Sequence, residues 1–382
     1  MAKLSARLQQ LRAMREQSHE AAVRPPAGGG RAAGKPWDGW RETAPYVWRK
    51  TTVLPFSRPK ITVPGLFITR QEEMDRLLVY DFETTGLSGG AGTMIFLAGF
   101  ARLKPGSIEL EQIFLADYPG EKYFIREILS LFGPQMIYVS YNGKSFDRNI
   151  LMNRCRINRM DCEMRNQLDL LYPARTLWRR VLDNCSLGQV EKDILDIHRQ
   201  EDIPGALIPQ CYQDFLRGID EDCMRRVVSH HLQDIISLIH LLFYFEKAAG
   251  YPPMLTRPES RLGLAVLFLK KGDLRAVPIL EDELSSGTEQ AGIILAVHYK
   301  KNKDFVELQR VLNKMLLIRR SFFQSEEMAK LLEHRHKRPE DALQVMNDLL
   351  ERGSPLTPRQ KSAVCYRRKR LMGKVPDSGN DV

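Results

Sequence analysis

Between Arg76 and Ala249 the apolar positions switch repeatedly between the two-residue period of a strand and the three-to-four-residue period of a helix. Leu77 to Phe82 reads as a buried strand, Met94 to Leu103 as a second, and the alternation of Ile108, Leu110, Gln112 and Phe114 places a third over Ile108 to Leu115. The glycine cluster Gly86 to Gly92 connects the first two. Phe124, Ile128 and Leu131 fall at helical spacing in Tyr123 to Leu131, Gln135 to Ser140 is a short apolar strand, and Asp147 to Arg156 opens a helix carrying Ile150, Leu151 and Cys155. Leu187 to Leu195 and Gln210 to Leu216 read as helices, and Glu221 to Tyr244 as a long one. Three strands that look antiparallel, then alternating helix and strand, predict an α/β unit: a mixed sheet flanked by helices over 76–249.

The flanks differ. Leu4, Leu8, Leu11 and Met14 make Leu4 to Glu20 an amphipathic helix, and the Pro- and Gly-rich Val23 to Lys35 is a flexible linker, so that 1–36 stands apart. Trp37 to Arg70 is aromatic and β-branched with several prolines, an extended segment (37–75) packing on the next unit. After Gly250-Tyr251-Pro252-Pro253 the strand signals stop and Ser260 to Leu350 is wholly helical. Gly272-Asp273, Lys303-Asp304 and Glu340-Asp341 each precede a new helix, 31 and 37 residues apart. That is near the roughly 34-residue helical-hairpin repeat, which makes 250–371 a helical array of the tetratricopeptide (TPR-like) kind or an ordinary bundle. Residues 372–382 are polar and are expected to be disordered.

Composition narrows the class. A chain of 382 residues with 43% hydrophobic content can bury a large core or two. No run approaches the roughly 18 apolar residues of a membrane span, and no apolar stretch follows the charged start as in a signal peptide. The six cysteines form no CxxC pair, which indicates neither a zinc ribbon nor a disulfide framework and fits reduced thiols in the cytoplasm. The formal charge of +10 favours a polyanionic partner.

Three segments carry candidate chemistry. In Val79-Tyr80-Asp81-Phe82-Glu83-Thr84-Thr85-Gly86 the two carboxylates point to one face of a strand, and like charges that close need a cation or a shared proton. Hard oxygen ligands at this spacing suit Mg²⁺ or Mn²⁺. In Tyr141-Asn142-Gly143-Lys144-Ser145-Phe146-Asp147 a strand runs into an Asn-Gly turn, and Asp147 sits at a helix start, as a cap or as a third acid. In His230-His231-Leu232-Gln233-Asp234 the residues His230 and Asp234 share one helix face. If the three converge on one end of a sheet, four carboxylates hold two divalent ions, which suits phosphodiester hydrolysis. A histidine beside them can position or deprotonate water.

These segments resemble, in order, the three motifs of the DEDD superfamily of 3′–5′ exonucleases, which have a ribonuclease H-like fold. Asn184-Cys185-Ser186-Leu187-Gly188, Asp202-Ile203-Pro204-Gly205 and Ile208-Pro209 with Tyr212 are similar to the bacterial YprB-type predicted exonucleases. The resemblance covers Arg76 to Ala249 and implies that Asp81, Glu83, Asp147 and Asp234 are metal ligands. It also implies a nucleic-acid 3′ end as partner. One departure concerns the base. The position five before the last Asp, histidine in one branch, is Ser229, and the position four before it, tyrosine in the other, is His230. His230 is therefore the candidate base and His231 the fallback. Thr84, Thr85, Asn142 and Phe146 are candidates for contacting a terminal nucleotide, or for turn and core roles. Asp169 either lines the site or caps a helix. Trp37, Trp40, Trp48 and Tyr172 either stack on bases or pack in the interior. The helical array offers a surface for a protein partner. The competing functions are a nucleic-acid-binding scaffold without activity and a phosphatase using the same metals.

Overall fold

The computed structural model describes residues 37–57, 59, 65–86, 90, 92–199 and 202–375. The expected helix at Leu4 to Glu20, the linker at Val23 to Lys35 and the tail beyond 375 lie outside the described residues. Within the segment up to Trp40, the rings of Trp37 and Trp40 meet edge to face at 6.3 Å. From Arg41 onward the chain forms one compact unit.

Its centre is a seven-stranded sheet in the order β1-β2-β5-β4-β3-β6-β7. The strands are β1 (Arg41–Ala44), β2 (Val47–Pro55), β3 (Leu77–Thr84), β4 (Ile95–Lys104), β5 (Ser107–Leu115), β6 (Ile137–Ser140) and β7 (Asn166–Asp169). Pairing is antiparallel from β1 through β3, and β6 and β7 join in parallel. The mixed α/β sheet is the one expected. The extended segment before it does more than pack alongside, because β1 and β2 are two of its strands, and Val47 to Pro55 pairs with β5 along its whole length. β3 runs through Thr84, so Asp81 and Glu83 share one strand as expected.

The helices are α1 (Glu121–Ser130), α2 (Asp147–Ile157), α3 (Leu171–Trp178), α4 (Leu187–Val190), α5 (Ile208–Leu216) and the 30-residue α6 (Glu221–Gly250). Side-chain alternation decides what each covers. Asp81 lies opposite Gly99, and Gly99 opposite Gln112, so these three positions share one face. α6 packs on that face, with Ile235, Leu238, Ile239 and Leu242 in the same core as Val79, Ala101 and Leu110. The opposite face carries Tyr80, Phe82 and Phe100 in one aromatic run and meets α1. There Arg49 bridges the buried Glu111 and, at 3.2 Å, Glu127, while Arg102 Nη2 donates to the Leu131 carbonyl at 2.9 Å.

Beyond residue 250 come α7 (Pro258–Lys270), α8 (Ala276–Ser285), α9 (Glu289–Lys301), α10 (Phe305–Ile318), α11 (Phe322–His334), α12 (Pro339–Arg352) and α13 (Pro358–Met372). Leu264, Phe268, Leu284, Leu295, Leu312, Met328 and Met346 continue the core begun by α6. The first two expected breaks fall between helices. The third does not: Glu340 and Asp341 form the first turn of α12, where acids favour the positive helix end. Among the described residues no helix is long and apolar enough to cross a membrane. The expectation of unpaired cysteines is corrected at one place. Cys211 and Cys223 form a disulfide with Cα atoms 5.5 Å apart. α5 and α6 fold back on each other across a short turn, and a separation of 12 residues carries no linear signature of that.

Gly99 lets α6 approach the sheet. A Cβ there would lie 2.1 Å from Ile235 Cδ1 and 2.4 Å from His231 Cε1. The isoleucine tip can turn away, but the His231 ring is hydrogen-bonded at both nitrogens. Gly99→Ala is therefore expected to destabilise the protein by about 1–3 kcal/mol, the usual cost of overpacking. Urea unfolding measures it, and a loss within the error of zero would contradict this packing.

Candidate active site

The C-terminal ends of β3, β6 and β7 lie side by side, because Val79 pairs with Val139 and Ser140 with Asp169. Asp81 and Glu83 are one residue apart at the end of β3, with Phe82 between them buried on the other face. β6 leads through Asn142, held at φ 65°, into α2, whose first residue is the buried Asp147. Asp169 shapes that turn. Its Oδ1 accepts from the Asn142 N–H at 2.8 Å and the Leu171 N–H at 3.0 Å, and its Oδ2 accepts from the Lys144 N–H at 3.1 Å. Gly143 fits because a Cβ there would lie 2.6 Å from Ser140 Cβ and 2.9 Å from the Tyr80 hydroxyl. Asp169 thus acts as a loop anchor, by way of the backbone.

α6 supplies the remaining groups. One ligand atom each from Glu83, His230 and Asp234 lies within 4.8 Å of the others. The Asp81 carboxylate comes within 3.9 Å of His231 Nε2. Asp81 also feels the charges of Asp234, Asp147 and Glu83. The two histidines part company here. His231 is fully buried, accepts from Gln112 Nε2 at 3.1 Å through Nδ1 and donates through Nε2 to the Asp81 carbonyl at 3.0 Å. Gln112 also donates to the Val228 carbonyl at 3.0 Å, so its amide nitrogen faces His231 and fixes that tautomer. His231 holds the strand and the helix together. His230, one position along, faces the acids: Nδ1 lies 2.6 Å from Asp202 Oδ1 and Nε2 lies 3.3 Å from Asp234 Oδ2.

Two residues of the site, Arg199 and Glu191, were not anticipated. Arg199 donates from Nε and Nη2 to both oxygens of Glu191, at 2.8 and 2.5 Å, and from Nη2 to Asp234 Oδ1 as well. Its Nη1 lies 3.7 Å from Asp202 Oδ1 and 3.0 Å from His230 Nδ1. Glu191 is buried at the end of α4, where one π turn runs from Glu191 to Leu195. The signal that could have found it is a charge on an apolar stripe, since Leu187, Val190, Glu191 and Ile194 fall at i, i+3, i+4 and i+7.

The other candidates are placed as follows. Thr84 is buried and its Oγ1 donates to the Gly86 carbonyl at 2.8 Å, while the Thr85 Oγ1 accepts from the Met94 N–H at 3.0 Å, so both hydroxyls brace the β3–β4 connection. Asn142 is exposed and Phe146 half-buried beside Asp147. Tyr172 is exposed and shares a 3.1 Å hydrogen bond with the Ser145 hydroxyl, whereas Trp48 is buried and cannot stack on a base.

Electrostatics follow from this crowding. Burial, then the charges of Asp234, Asp147 and Glu83, hold Asp81 well above the usual carboxylate range. Burial and Asp234 push Glu83 up to about 8. Burial pushes Asp147 up to about 7, with Asp169 adding to it and a backbone N–H opposing. Burial alone would lower His230, but Asp234 and Asp202 outweigh it and raise the ring to about 9. Burial lowers His231 to about 4, keeping it neutral. Burial would raise Asp234 too, yet His230 and Arg199 hold it below its ordinary value. A charged His230 donates to both carboxylates, so the guanidinium beside it is a second cation, not a donor to the ring. The donor set, oxygens with one imidazole and more acidic groups than the two cations can pair, fits a divalent cation.

The mixed sheet with its flanking helices is a ribonuclease H-like fold. A profile of the RNase_H superfamily (RNase_H_2) matches residues 78–245. The uncharacterized protein YprB of Bacillus subtilis (strain 168) is 31% identical over 312 residues, covering 78% of this chain and 75% of YprB. The chain belongs to the same family as YprB, and its sheet unit has the ribonuclease H-like fold. Among solved structures, exonuclease I is similar at 17% identity and a TM-score of 0.31, over 49% of this chain and 43% of that one. The zinc-bound E. coli exonuclease I complex with single-stranded DNA is similar at 17% identity and a TM-score of 0.31, over 47% and 41%. This chain thus spans less than half of either.

The raised groups set a pH dependence for the metal-free protein. Glu83 moves from 4.5 to about 8, Asp147 from 3.8 to about 7 and His230 from 6.5 to about 9, so each holds protons in the folded state that the unfolded chain releases. Stability from such groups is full below the unfolded value and is lost as pH rises through the folded one. His231, lowered from 6.5 to about 4, acts only in acid. The thermal midpoint should therefore fall from pH 6.5 to pH 9, and Mn²⁺ should flatten that fall by binding the ionised carboxylates. A midpoint that rises with pH in the absence of metal would contradict the site electrostatics.

Proposed function

We propose that this protein is a metal-dependent 3′–5′ exonuclease of the DEDD type, hydrolysing phosphodiester bonds of DNA or RNA. The observation that carries the reading is the cluster of Glu83, His230 and Asp234, with Asp81 and Asp147 close enough for their charges to be felt, at the strand ends of a ribonuclease H-like sheet. Asp81, Glu83, Asp147 and Asp234 would hold two divalent ions, Mg²⁺ or Mn²⁺. When bound, such ions supply charge neutralisation at the leaving oxygen and activation of water.

The chain's own groups do the rest. Asp202 orients the His230 ring through Nδ1 and leaves Nε2 directed at Asp234. As the carboxylate charges that hold His230 protonated are compensated, its affinity for the proton falls toward the working range of a base. Asp169 and the Asn142–Gly143 turn fix the backbone ahead of Asp147. Asn142, Phe146 and Tyr172 would contact a terminal sugar and base. Thr84 and Thr85 brace the strand end. The sheet unit, 76–249 with the β1–β2 hairpin added, would carry the chemistry, and the helices of 250–371 a partner or the continuing strand.

A second reading has one observation in its favour. Arg199 already places a cation on Asp234, as a nucleic-acid-binding protein without hydrolysis could do. One assay separates the two. With 5′-labelled single-stranded DNA and RNA and Mn²⁺, wild type is expected to give a ladder shortening from the 3′ end, and Asp81→Ala to lower the rate by at least about a hundredfold. Equal rates for the two proteins would overturn the exonuclease. Binding without cleavage by either would favour the second reading.

A further inference from the structure

Arg199 is held by a site built for it. Its side chain is 11% exposed and that of Glu191 is 1% exposed. The guanidinium takes both oxygens of Glu191 in a two-pronged fork, the geometry in which arginine is most strongly and specifically fixed. A carboxylate buried as deeply as Glu191 is costly unless paired. None of its contacts reaches another site acid, so its partner is Arg199 itself. The same guanidinium continues to Asp234 Oδ1 through Nη2, and its Nη1 faces Asp202. Asp81 and Glu83 both feel its charge. One end of Arg199 is thus anchored outside the carboxylate cluster, and the other lies on an oxygen that the proposed function gives to a divalent ion.

We propose that Arg199 is the resident counter-cation of the site and its phosphate clamp. In the metal-free protein it neutralises Asp234. When an ion takes that carboxylate oxygen, the fork stays on Glu191 and the freed N–H groups receive a non-bridging oxygen of the substrate phosphodiester. Two cations cannot share one carboxylate oxygen without repulsion, so the guanidinium and the ion compete. An arginine released beside a phosphodiester meets the anion it recognises best. Arg199 is a positioning residue in the first state and a substrate-binding residue in the second. The inference rests on the metal-dependent reading above, and it assigns a role to a segment, Glu191 to Asp202, that the acidic motifs do not include.

The two roles predict changes of opposite sign, which loss of a structural brace would not produce. Mn²⁺ alone is titrated into full-length wild type and Arg199→Gln by calorimetry. Separately, fluorescein-labelled oligothymidylate and oligouridylate are titrated in Ca²⁺ by anisotropy. R199Q is expected to bind Mn²⁺ roughly tenfold more tightly and the better-bound strand roughly tenfold more weakly, the scale of one charge-assisted hydrogen bond. Should R199Q not fold, Arg199→Lys takes its place: it keeps the charge, lacks the fork, and must shift both affinities the same ways by smaller factors. Unchanged or weaker Mn²⁺ binding, strand binding that does not fall, or a joint loss of both affinities overturns the proposal. Wild type that binds no Mn²⁺ overturns the metal-dependent reading and the proposal with it. Wild type that binds Mn²⁺ beside an unshifted R199Q overturns the proposal alone.

Discussion

The repulsion among carboxylates gathered at the C-terminal ends of the strands is the constraint to which the rest of this structure answers. Asp81, Glu83, Asp147 and Asp234 are drawn out of water by the packing of α6 on β3 and β4 and by the start of α2, and Asp234 and Asp147 raise the cost of ionising both Asp81 and Glu83. Nothing about the sheet requires acids there; apolar residues would pack at no such cost. The surrounding structure is spent on holding them in place. His231 ties the Asp81 backbone to α6, Gly99 lets that helix come close enough to do so, and Asp169 fixes the turn that delivers Asp147. Arg199 and the charged His230 compensate one of the four, Asp234, which alone is held low. The excess that remains is what a divalent cation would satisfy.

The acids were legible in the sequence because their signals are local. Asp81 and Glu83 sit in one strand whose alternation fixes their common face, Asn142–Gly143 announces the turn before Asp147, and His230 and Asp234 are one helical turn apart. Which of two adjacent histidines faces the cluster was not legible. Neighbours on a helix point about 100° apart, and only the docking of α6 on Gly99 decides that His231 is the buried one. The Glu191–Arg199 pair was missed for two reasons: Glu191 shows only as one charge on the apolar stripe of α4, and the contact that ties Arg199 to Asp234 of α6 runs across the fold. The same holds for the β1–β2 hairpin, whose β-branched pattern showed extended structure but not its partner β5 some 60 residues later, and for the Cys211–Cys223 pair.

The helical region follows a simpler logic. Its helices bury Leu, Phe and Met stripes on one another and on α6, so the core passes from the sheet into the helices without interruption. A strap ties the two together. The half-buried Glu246 of α6 accepts from the Phe67 N–H at 2.7 Å, and Lys271, at the end of α7, donates to the Leu66 carbonyl. α6 is therefore shared: its first half supplies His230 and Asp234, and its second half anchors the strap and the helices that follow.

The central claim is that the carboxylate cluster is a cation site. The most direct test is anomalous diffraction from crystals of the protein grown with Mn²⁺. The account predicts an anomalous peak within coordination distance of Asp81 and Asp234, with Arg199 still forked on Glu191. Clear density for the four carboxylates with no peak between them, at saturating Mn²⁺, would contradict it.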